Sequence, residues 1–461
     1  MQSRLQLDSE NPAFRVQLLC LLAAGILEYL FIVGQTCFNW VFYYCAETFL
    51  AVPALVFLGT ALVQEQTVQA KRQLLLCAGM ALWFVLVQAL RKAAGMNPQS
   101  GVLFLGVWLM SLPFAAVTRD GEKQVGLRCI AWIFIAASLT LVFYTGLLVL
   151  NLIPASLSPY IKWDGARLLV LSHPNICACL FMIGIGLCLG FFFRCRRKGL
   201  KVLLLLAAAA QFICQILTHC RTSVLLTCAL MGGIAFFAIG KGRWKRIAAG
   251  MAAALVLTCA LFLASSALYE AHNARLITQL SQQSQQAAEA SDAAAPPKVN
   301  AAGQLQGVSG QGTLKNDLRT LNGRTRIWSA AFLALQETPS IVVWGTDSVS
   351  PTLSYYFGGS LEHTHNSWLE VLFRLGLPGL IVSLIVTAVA VWNAVCLLLR
   401  NQDMWKTCIA LLVLCMLASG VLEPFFFIAN ASCHFLDFLL LLLTGYMTQW
   451  RKAPGSDVAN P

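Results

Sequence analysis

The chain has 461 residues, of which 58% are hydrophobic and only 11% are charged, and its mean hydropathy is +0.71. These values exclude a soluble globular protein and are typical of a polytopic membrane protein. The net charge of +12 would favour nucleic-acid binding in a soluble protein, but here the basic residues lie in short loops between apolar segments, where they indicate orientation. The 17 cysteines fall almost entirely within apolar segments, so we interpret them as small packing residues and not as a disulfide framework.

Apolar segments of about 20 residues, the length that crosses a bilayer, recur along most of the chain. They predict an all-α polytopic membrane protein with about twelve transmembrane helices, at 14–33, 38–63, 74–90, 102–118, 129–150, 166–193, 202–218, 222–240, 247–268, 377–399, 407–422 and 432–449. The chain then divides into transmembrane helices at 1–268, one large extracytoplasmic loop at 269–376, and further transmembrane helices with a cytoplasmic tail at 377–461.

Lys and Arg residues concentrate in alternate loops, above all in 194–201 and 241–246. Because positively charged short loops stay on the cytoplasmic side, we expect both termini in the cytoplasm and the 269–376 loop on the outer face.

The long loop has two parts of different composition. Residues from about 281 to 312 are rich in Gln, Ala, Ser and Gly and cannot bury enough surface to fold, so we predict a disordered, flexible insert. Farther along, apolar residues recur at helical spacing up to Thr338 and Pro339, which predicts an amphipathic helix on the outer membrane surface. These residues are Ile327, Trp328, Ala331, Phe332 and Leu335. The aromatic residues 355–357 are expected to anchor the loop at the interface.

Residues 363–380 combine helix signals with ionisable groups. Ser367 followed by Glu370 predicts a capping box for a helix from about Trp368 to Leu375, which Gly376 would end. His365 would then precede a helix N-terminus, whose partial positive charge keeps an imidazole neutral, as a general base must be.

Two other interpretations of this segment stay open. Capping boxes are common, so a simple start of a membrane-surface helix has similar weight to the catalytic interpretation. A zinc site at His363 and His365 is weaker, because no Cys or further His follows at ligand spacing.

Two arginines are placed to meet anionic groups. Arg221 lies in the turn THCRTS (218–223) between two predicted helices, where its guanidinium suits bidentate binding of a lipid phosphate or diphosphate. Arg324, at the start of a predicted helix, adds a second cation near unpaired backbone N–H groups. Ordinary binding of an anionic lipid head group is the alternative.

Ionisable residues within the predicted spans all map to the outer half of the membrane. They are Glu28, Glu47, Arg167, His173, Glu423, His434 and Asp437. Such residues usually mark function, and this skew favours a cavity open to the outer leaflet over a transport path. For Arg167, Glu423 and His434 we expect that the side chains only extend to the membrane interface.

Three separated segments resemble the O-antigen ligase and O-antigen polymerase superfamily. They are the turn at 218–223, the segment GRTRIW at 323–328, and HTHNSWL at 363–369 followed by LGLPG at 375–379. HPN at 173–175 is similar to a weaker motif of the same superfamily. The resemblance spans roughly 168–380, and the order of its pieces is the expected one.

The resemblance implies a GT-C-like, α-helical glycosyltransferase of the bacterial inner or plasma membrane that needs neither metal nor cofactor. It would take a glycan from a polyprenyl diphosphate such as undecaprenyl diphosphate, and its partners would be this donor, a lipid or glycan acceptor and membrane lipids, with no nucleic acid. By resemblance, Arg221 and Arg324 would stabilise the leaving diphosphate and His365 would be the base. Further substrate-binding candidates are Asn366, Arg326, His363, Thr218 and Asn175.

The acceptor stays open at this stage. A ligase would transfer the glycan to an envelope acceptor such as lipopolysaccharide, a polymerase would join repeat units, and a protein O-oligosaccharyltransferase would glycosylate Ser or Thr. A polytopic secondary transporter is the alternative of another class, although the halves of the chain show no similarity to each other.

Overall fold

The computed structural model describes residues 12–37, 120–153, 161–164, 167–170, 173–239, 247–261, 323–346, 349–400, 403–427 and 433–452, together with isolated positions between them. The helices are α1 (Pro12–Cys37), α2 (Asp120–Val149), α3 (Pro174–Arg194), α4 (Lys198–Leu217), α5 (Arg221–Ile239), α6 (Ile247–Leu261), α7 (Arg324–Glu337), α8 (Ser340–Trp344), α9 (Val349–Phe357), α10 (Ser367–Leu399), α11 (Met404–Leu422) and α12 (His434–Lys452). The strands are β1 (Lys162–Asp164) and β2 (Arg167–Leu169).

Within the described residues, seven helices are long and apolar enough to cross a membrane, namely α1 to α5, α10 and α11. The protein is therefore an all-α polytopic membrane protein, and the two short strands are a minor addition. The predicted spans at 38–63, 74–90 and 102–118 and the insert at about 281–312 lie outside the described residues. Helix α12 coincides with the last predicted span but is not among the seven, so the count of about twelve stays a prediction, as does the orientation.

The predicted span at 166–193 begins too early. Residues 167–169 form a strand that pairs antiparallel with β1, with Lys162 opposite Leu169, and the helix begins only at Pro174. A short apolar run such as 168–171 is equally compatible with a buried strand and with a helix. Proline at the first helical position and the His173 side chain, which accepts a hydrogen bond from the Asn175 N–H, fix the true start.

Helix α3 lies at the centre of the bundle and packs against α2, α4, α5 and α11. Its residues are apolar on every side and almost all are buried, which is typical of a helix surrounded by others. A Cβ at Gly190 would lie 2.8 Å from the Trp405 ring, so glycine allows α11 to approach closely. Most of the described cysteines are buried free thiols, in agreement with their interpretation as packing residues.

A helix, α7, is present where the amphipathic helix is predicted, and Thr338 is its C-cap; its place on the outer membrane surface stays a prediction. One face packs through Ile327, Ala331 and Ala334, while Phe332 is exposed.

The predicted helix end at Gly376 is a kink within α10, which continues to Leu399. Gly376 has φ 69°, and a Cβ there would lie 2.2 Å from the carbonyl oxygen of Val343. Only glycine accepts both this left-handed backbone and this close approach. The end of α8 therefore fits directly against the kink, where the Thr346 N–H donates to the Phe373 carbonyl.

Candidate active site

The carboxylate of Glu423 lies close to residues from three other parts of the chain. Glu423 directly follows α11 and is 2% exposed. Its Oε1 accepts hydrogen bonds from Arg324 Nη2 at 2.5 Å and from Asn175 Nδ2 at 2.8 Å. Its Oε2 lies 3.4 Å from Nδ1 of His365, although Nδ1 makes no hydrogen bond in this geometry. We call Glu423, Arg324, Asn175 and His365 the Glu423 cluster.

The Glu423 cluster keeps its carboxylate charged. Burial alone would raise the pKa of Glu423, but the neighbouring His365 imidazole and Arg324 guanidinium outweigh burial and lower the pKa to about 2. A buried carboxylate is tolerated only with such partners. At neutral pH the cluster therefore contains a fixed negative charge beside the His365 ring.

The two histidines of the 363–365 segment differ in their surroundings. Their rings meet edge to face with centroids 4.2 Å apart. Burial and, to a smaller extent, the nearby His365 lower the pKa of His363 to about 4, so His363 is neutral at pH 7 and a weak base. His365 instead contacts the Glu423 carboxylate and has a left-handed backbone with φ 53°. Such a backbone is uncommon for a non-glycine residue and often marks a functional position.

The helix cap predicted at Ser367 is wrong, because Asn366 is the N-cap of α10. Its Oδ1 accepts a hydrogen bond from the Leu369 N–H at 2.9 Å, and its Nδ2 donates to the Val421 carbonyl at 2.9 Å. Asparagine caps helices as well as serine does. Asn366 therefore ties the start of α10 to the end of α11, next to Glu423.

Ser367 has another partner, the turn that follows α11. Its hydroxyl donates to the Glu423 carbonyl at 2.9 Å and accepts from the backbone N–H groups of Phe425 and Phe426 at 3.0 Å each. Unpaired N–H groups in a buried turn are costly, which explains why the serine hydroxyl is used here. Ser367 thus fixes the backbone that carries the Glu423 side chain.

Arg167 connects the turn that contains Arg221 to the Glu423 cluster. Its Nη2 donates to Oδ1 of Asn175 at 2.9 Å, and its Nε donates to the Thr218 carbonyl at 3.3 Å. Burial raises the pKa of the Cys220 thiol, and the charge of Glu423 raises it further, so this turn lies within electrostatic reach of the carboxylate. Arg221 is the first residue of α5 and is half-buried.

The remaining predicted residues make other contacts. The Thr218 hydroxyl donates to the Gln215 carbonyl and closes the end of α4. The exposed Arg326 lies over the Phe357 ring, 4.8 Å from its centroid, and donates to the Phe357 carbonyl at 3.4 Å. Arg326 therefore contacts α9, and its predicted role in substrate binding stays a prediction.

The expectation that Arg167, Glu423 and His434 merely extend to the membrane interface is wrong. Glu423 and His434 are buried, at 2% and 4% exposed, and Arg167 makes the two contacts given above. His434 pairs with Glu28, whose Oε2 lies 2.8 Å from Nδ1 of His434. The signal that could have identified Glu423 is its position between apolar segments, where an unpaired carboxylate is too costly to persist.

A metal site was a weaker interpretation of His363 and His365. Among the residues that the structure describes, no three His, Cys, Asp or Glu side chains are grouped so that they could hold a metal ion. The metal independence implied by the resemblance stays a prediction.

The comparisons with known proteins bear on the same segments. The sequence profile of the O-antigen ligase family matches residues 206–384. This stretch contains Arg221, Arg324 and His365, whereas Asn175 and Glu423 lie on either side of it. Among curated proteins, none matches the chain. The resemblance drawn from the motifs is confirmed over residues 206–384, which match the O-antigen ligase family.

Proposed function

We propose that this protein is a glycosyltransferase that moves a glycan from a polyprenyl diphosphate carrier to an acceptor hydroxyl on the outer face of the membrane, as an O-antigen ligase does. The family match at 206–384 supports a glycosyltransferase. The observation that carries the proposal is that Arg324, Asn175 and His365, from three separate motifs, meet at the buried Glu423 carboxylate. A buried carboxylate with a perturbed pKa beside a histidine and an arginine is typical of a catalytic site.

His365 is the general base of the proposed reaction. It takes the proton of the acceptor hydroxyl, whose oxygen attacks the anomeric carbon as the bond from that carbon to the diphosphate breaks. The Glu423 carboxylate, 3.4 Å from Nδ1, stabilises the imidazolium that forms, and the other ring nitrogen takes the proton. His363, with a pKa of about 4, is too weak a base for this role. Attack opposite the leaving group inverts the anomeric configuration.

Arg221 and Arg324 stabilise the leaving polyprenyl diphosphate. Negative charge builds on the diphosphate as the bond breaks, so the arginines bind the transition state more strongly than the donor. Arg324 already donates through Nε to the Leu422 carbonyl at 2.8 Å and through Nη2 to Glu423. Diphosphate binding therefore competes with these contacts for the Arg324 guanidinium.

The amide side chains act in this proposal by holding the site. Asn175 orients the Glu423 carboxylate, and Asn366 holds the start of α10 against α11. In this proposal the protein lies in the bacterial inner or plasma membrane with both termini in the cytoplasm, and the Glu423 cluster opens outward.

The proposal is tested by glycan transfer in proteoliposomes supplied with a polyprenyl-diphosphate oligosaccharide, with products sorted by size and attachment. Glycan moved to a new lipid acceptor identifies a ligase, longer lipid-linked chains identify a polymerase, and glycan on Ser or Thr identifies a protein glycosyltransferase. His365→Ala should lower transfer by about 10³-fold or more, to a residual rate that can still be measured, and leave donor binding largely intact. Transfer by His365→Ala at the native rate, or no product from the native chain with any donor, would contradict the proposal.

A further inference from the structure

We propose that Glu370 is a positioning residue that holds His365 in its catalytic conformation, a role that rests on the proposed function of His365. Glu370 lies in the first turn of α10 and is 0% exposed. Both of its carboxylate oxygens have partners. Oε2 accepts from the backbone N–H of Thr364 at 2.9 Å and from the Thr364 hydroxyl at 3.0 Å, and Oε1 accepts from Nε of Arg374 at 2.8 Å.

Thr364 lies between the two histidines, and its N–H, hydroxyl and carbonyl groups all form hydrogen bonds. It is 0% exposed, its N–H donates to Glu370, and its single hydroxyl proton is shared between the Glu370 carboxylate at 3.0 Å and the Asn366 carbonyl at 2.9 Å. Its carbonyl accepts a hydrogen bond from Nε1 of Trp328 at 3.1 Å. The peptide groups on both sides of Thr364 are therefore fixed to α10 and α7 before the chain reaches His365.

This fixation is needed because the His365 backbone is strained. A non-glycine residue in the left-handed region costs about 1–3 kcal/mol and persists only when its surroundings enforce it. Without the contacts at Thr364, His365 would relax to a more favourable φ, and its imidazole would leave the 3.4 Å contact with Glu423. Glu370 thus acts on catalysis through Thr364 and not by touching the substrate.

A helix cap does not explain the position of Glu370. A capping-box carboxylate would return to the N–H of the N-cap residue, here Asn366, but Glu370 bonds to Thr364, two residues earlier. Arg374, one turn later on α10, supplies the opposite charge that allows the carboxylate to be buried. Glu370 therefore binds the loop that carries the two histidines and does not cap α10.

The test compares Glu370→Gln with the native full-length protein in proteoliposomes containing a polyprenyl-diphosphate oligosaccharide. Glutamine keeps the size of the side chain, but one of its two terminal groups is a donor, so it cannot accept from both Thr364 and Arg374. A base displaced by about 1 Å can cost about 100-fold in rate. We therefore expect kcat to fall by about 100-fold and the KM for the donor to stay within about twofold.

Asn393→Ala is the matched control. Asn393 lies on the same helix and donates to Thr448 in a buried hydrogen bond of 2.7 Å, but it is far along α10 from the histidines. The Asn393→Ala variant should have a lower thermal midpoint than the native protein and the native kcat. If Glu370→Gln also lowers only the midpoint, the inference is wrong. If Glu370→Gln does not insert into the membrane, Trp328→Phe removes the indole N–H that donates to Thr364 and keeps an aromatic ring. This variant should lower kcat in folded protein, and a native kcat would overturn the inference.

Amide hydrogen exchange separates this inference from the proposed function, because it needs no activity. Glu370→Gln should speed exchange at the N–H of Thr364, while Asn393→Ala should leave it protected. Unchanged protection in Glu370→Gln would overturn the inference even in an active enzyme. An inactive native chain in which Glu370→Gln loses this protection would contradict the proposed reaction and leave the positioning contact supported.

Discussion

Replacing Glu423 with glutamine should reduce both stability and transfer. The substitution keeps the shape of the side chain but removes the negative charge that pairs with Arg324 at 2.5 Å and faces His365 at 3.4 Å. Arg324 would then lose the charge of its Glu423 partner, and breaking a buried ion pair in this way costs about 3–5 kcal/mol.

The pKa of Glu423 gives a second value for the stability effect. Its ordinary pKa is 4.5 and its value in the folded protein is about 2, which at about 1.4 kcal/mol for each pKa unit corresponds to about 3 kcal/mol. Because the folded pKa is the lower one, this stabilisation is present above pH 4.5 and is lost as the pH falls towards 2. The difference between native protein and Glu423→Gln should therefore be full at pH 7 and shrink between pH 4.5 and 2.

Thermal unfolding in detergent at several pH values, together with transfer in proteoliposomes, checks this prediction. We expect transfer by Glu423→Gln to fall at least about 100-fold, since a base without its orienting carboxylate loses that much or more. Glu362→Gln is the control, because Glu362 is exposed and precedes the same histidines. A native thermal midpoint and native transfer in Glu423→Gln would refute the reasoning.

Three further substitutions have distinct expected results. Burial lowers the pKa of His363 from 6.5 to about 4, so between these pH values the unfolded chain binds more protons than the folded protein. The free energy of unfolding should therefore decrease as the pH falls from 6.5 to 4. His363→Asn should reduce this pH dependence in thermal unfolding. Gly376→Ala would place a Cβ 2.2 Å from the Val343 carbonyl oxygen at a backbone φ of 69°, and it should lower the free energy of unfolding by about 2 kcal/mol or more. A thermal midpoint within about one degree of the native value would contradict this prediction. Arg167→Gln removes a charged donor to Asn175 and should lower transfer about 10-fold, measured beside Lys162→Gln as an exposed control.

The sequence predicted most of the membrane helices because hydropathy reports them directly. Runs of about 20 apolar residues are sufficient for α1 to α5, α10 and α11. The β1–β2 hairpin was missed because its apolar run continues into that of α3, and hydropathy alone does not separate a short strand from a helix. The kink at Gly376 was predicted as a helix end, since Gly376 and Pro378 interrupt a helix but do not say whether the next helix continues in line.

Only those residues of the site that lie in short sequence motifs were predicted as site residues. Arg324 and His365 stand in recognisable segments, whereas Glu423 follows an apolar helix with no motif around it. Its partner Asn175 is 248 positions away in the chain, and pairing over such a separation is decided by how α3 and α11 pack. The cap was misassigned for a similar reason, because Ser367 is used by the buried turn after α11, a contact that local sequence does not reveal.

The central claim is that His365 and Glu423 act as one unit in glycan transfer, and a double-mutant cycle tests it most directly. Transfer rates of the native chain, His365→Ala, Glu423→Gln and the double variant are compared in proteoliposomes, with thermal midpoints confirming folded protein. Residues that act together give losses that do not add. The account predicts that the double variant is no slower than His365→Ala, and losses that multiply would contradict it.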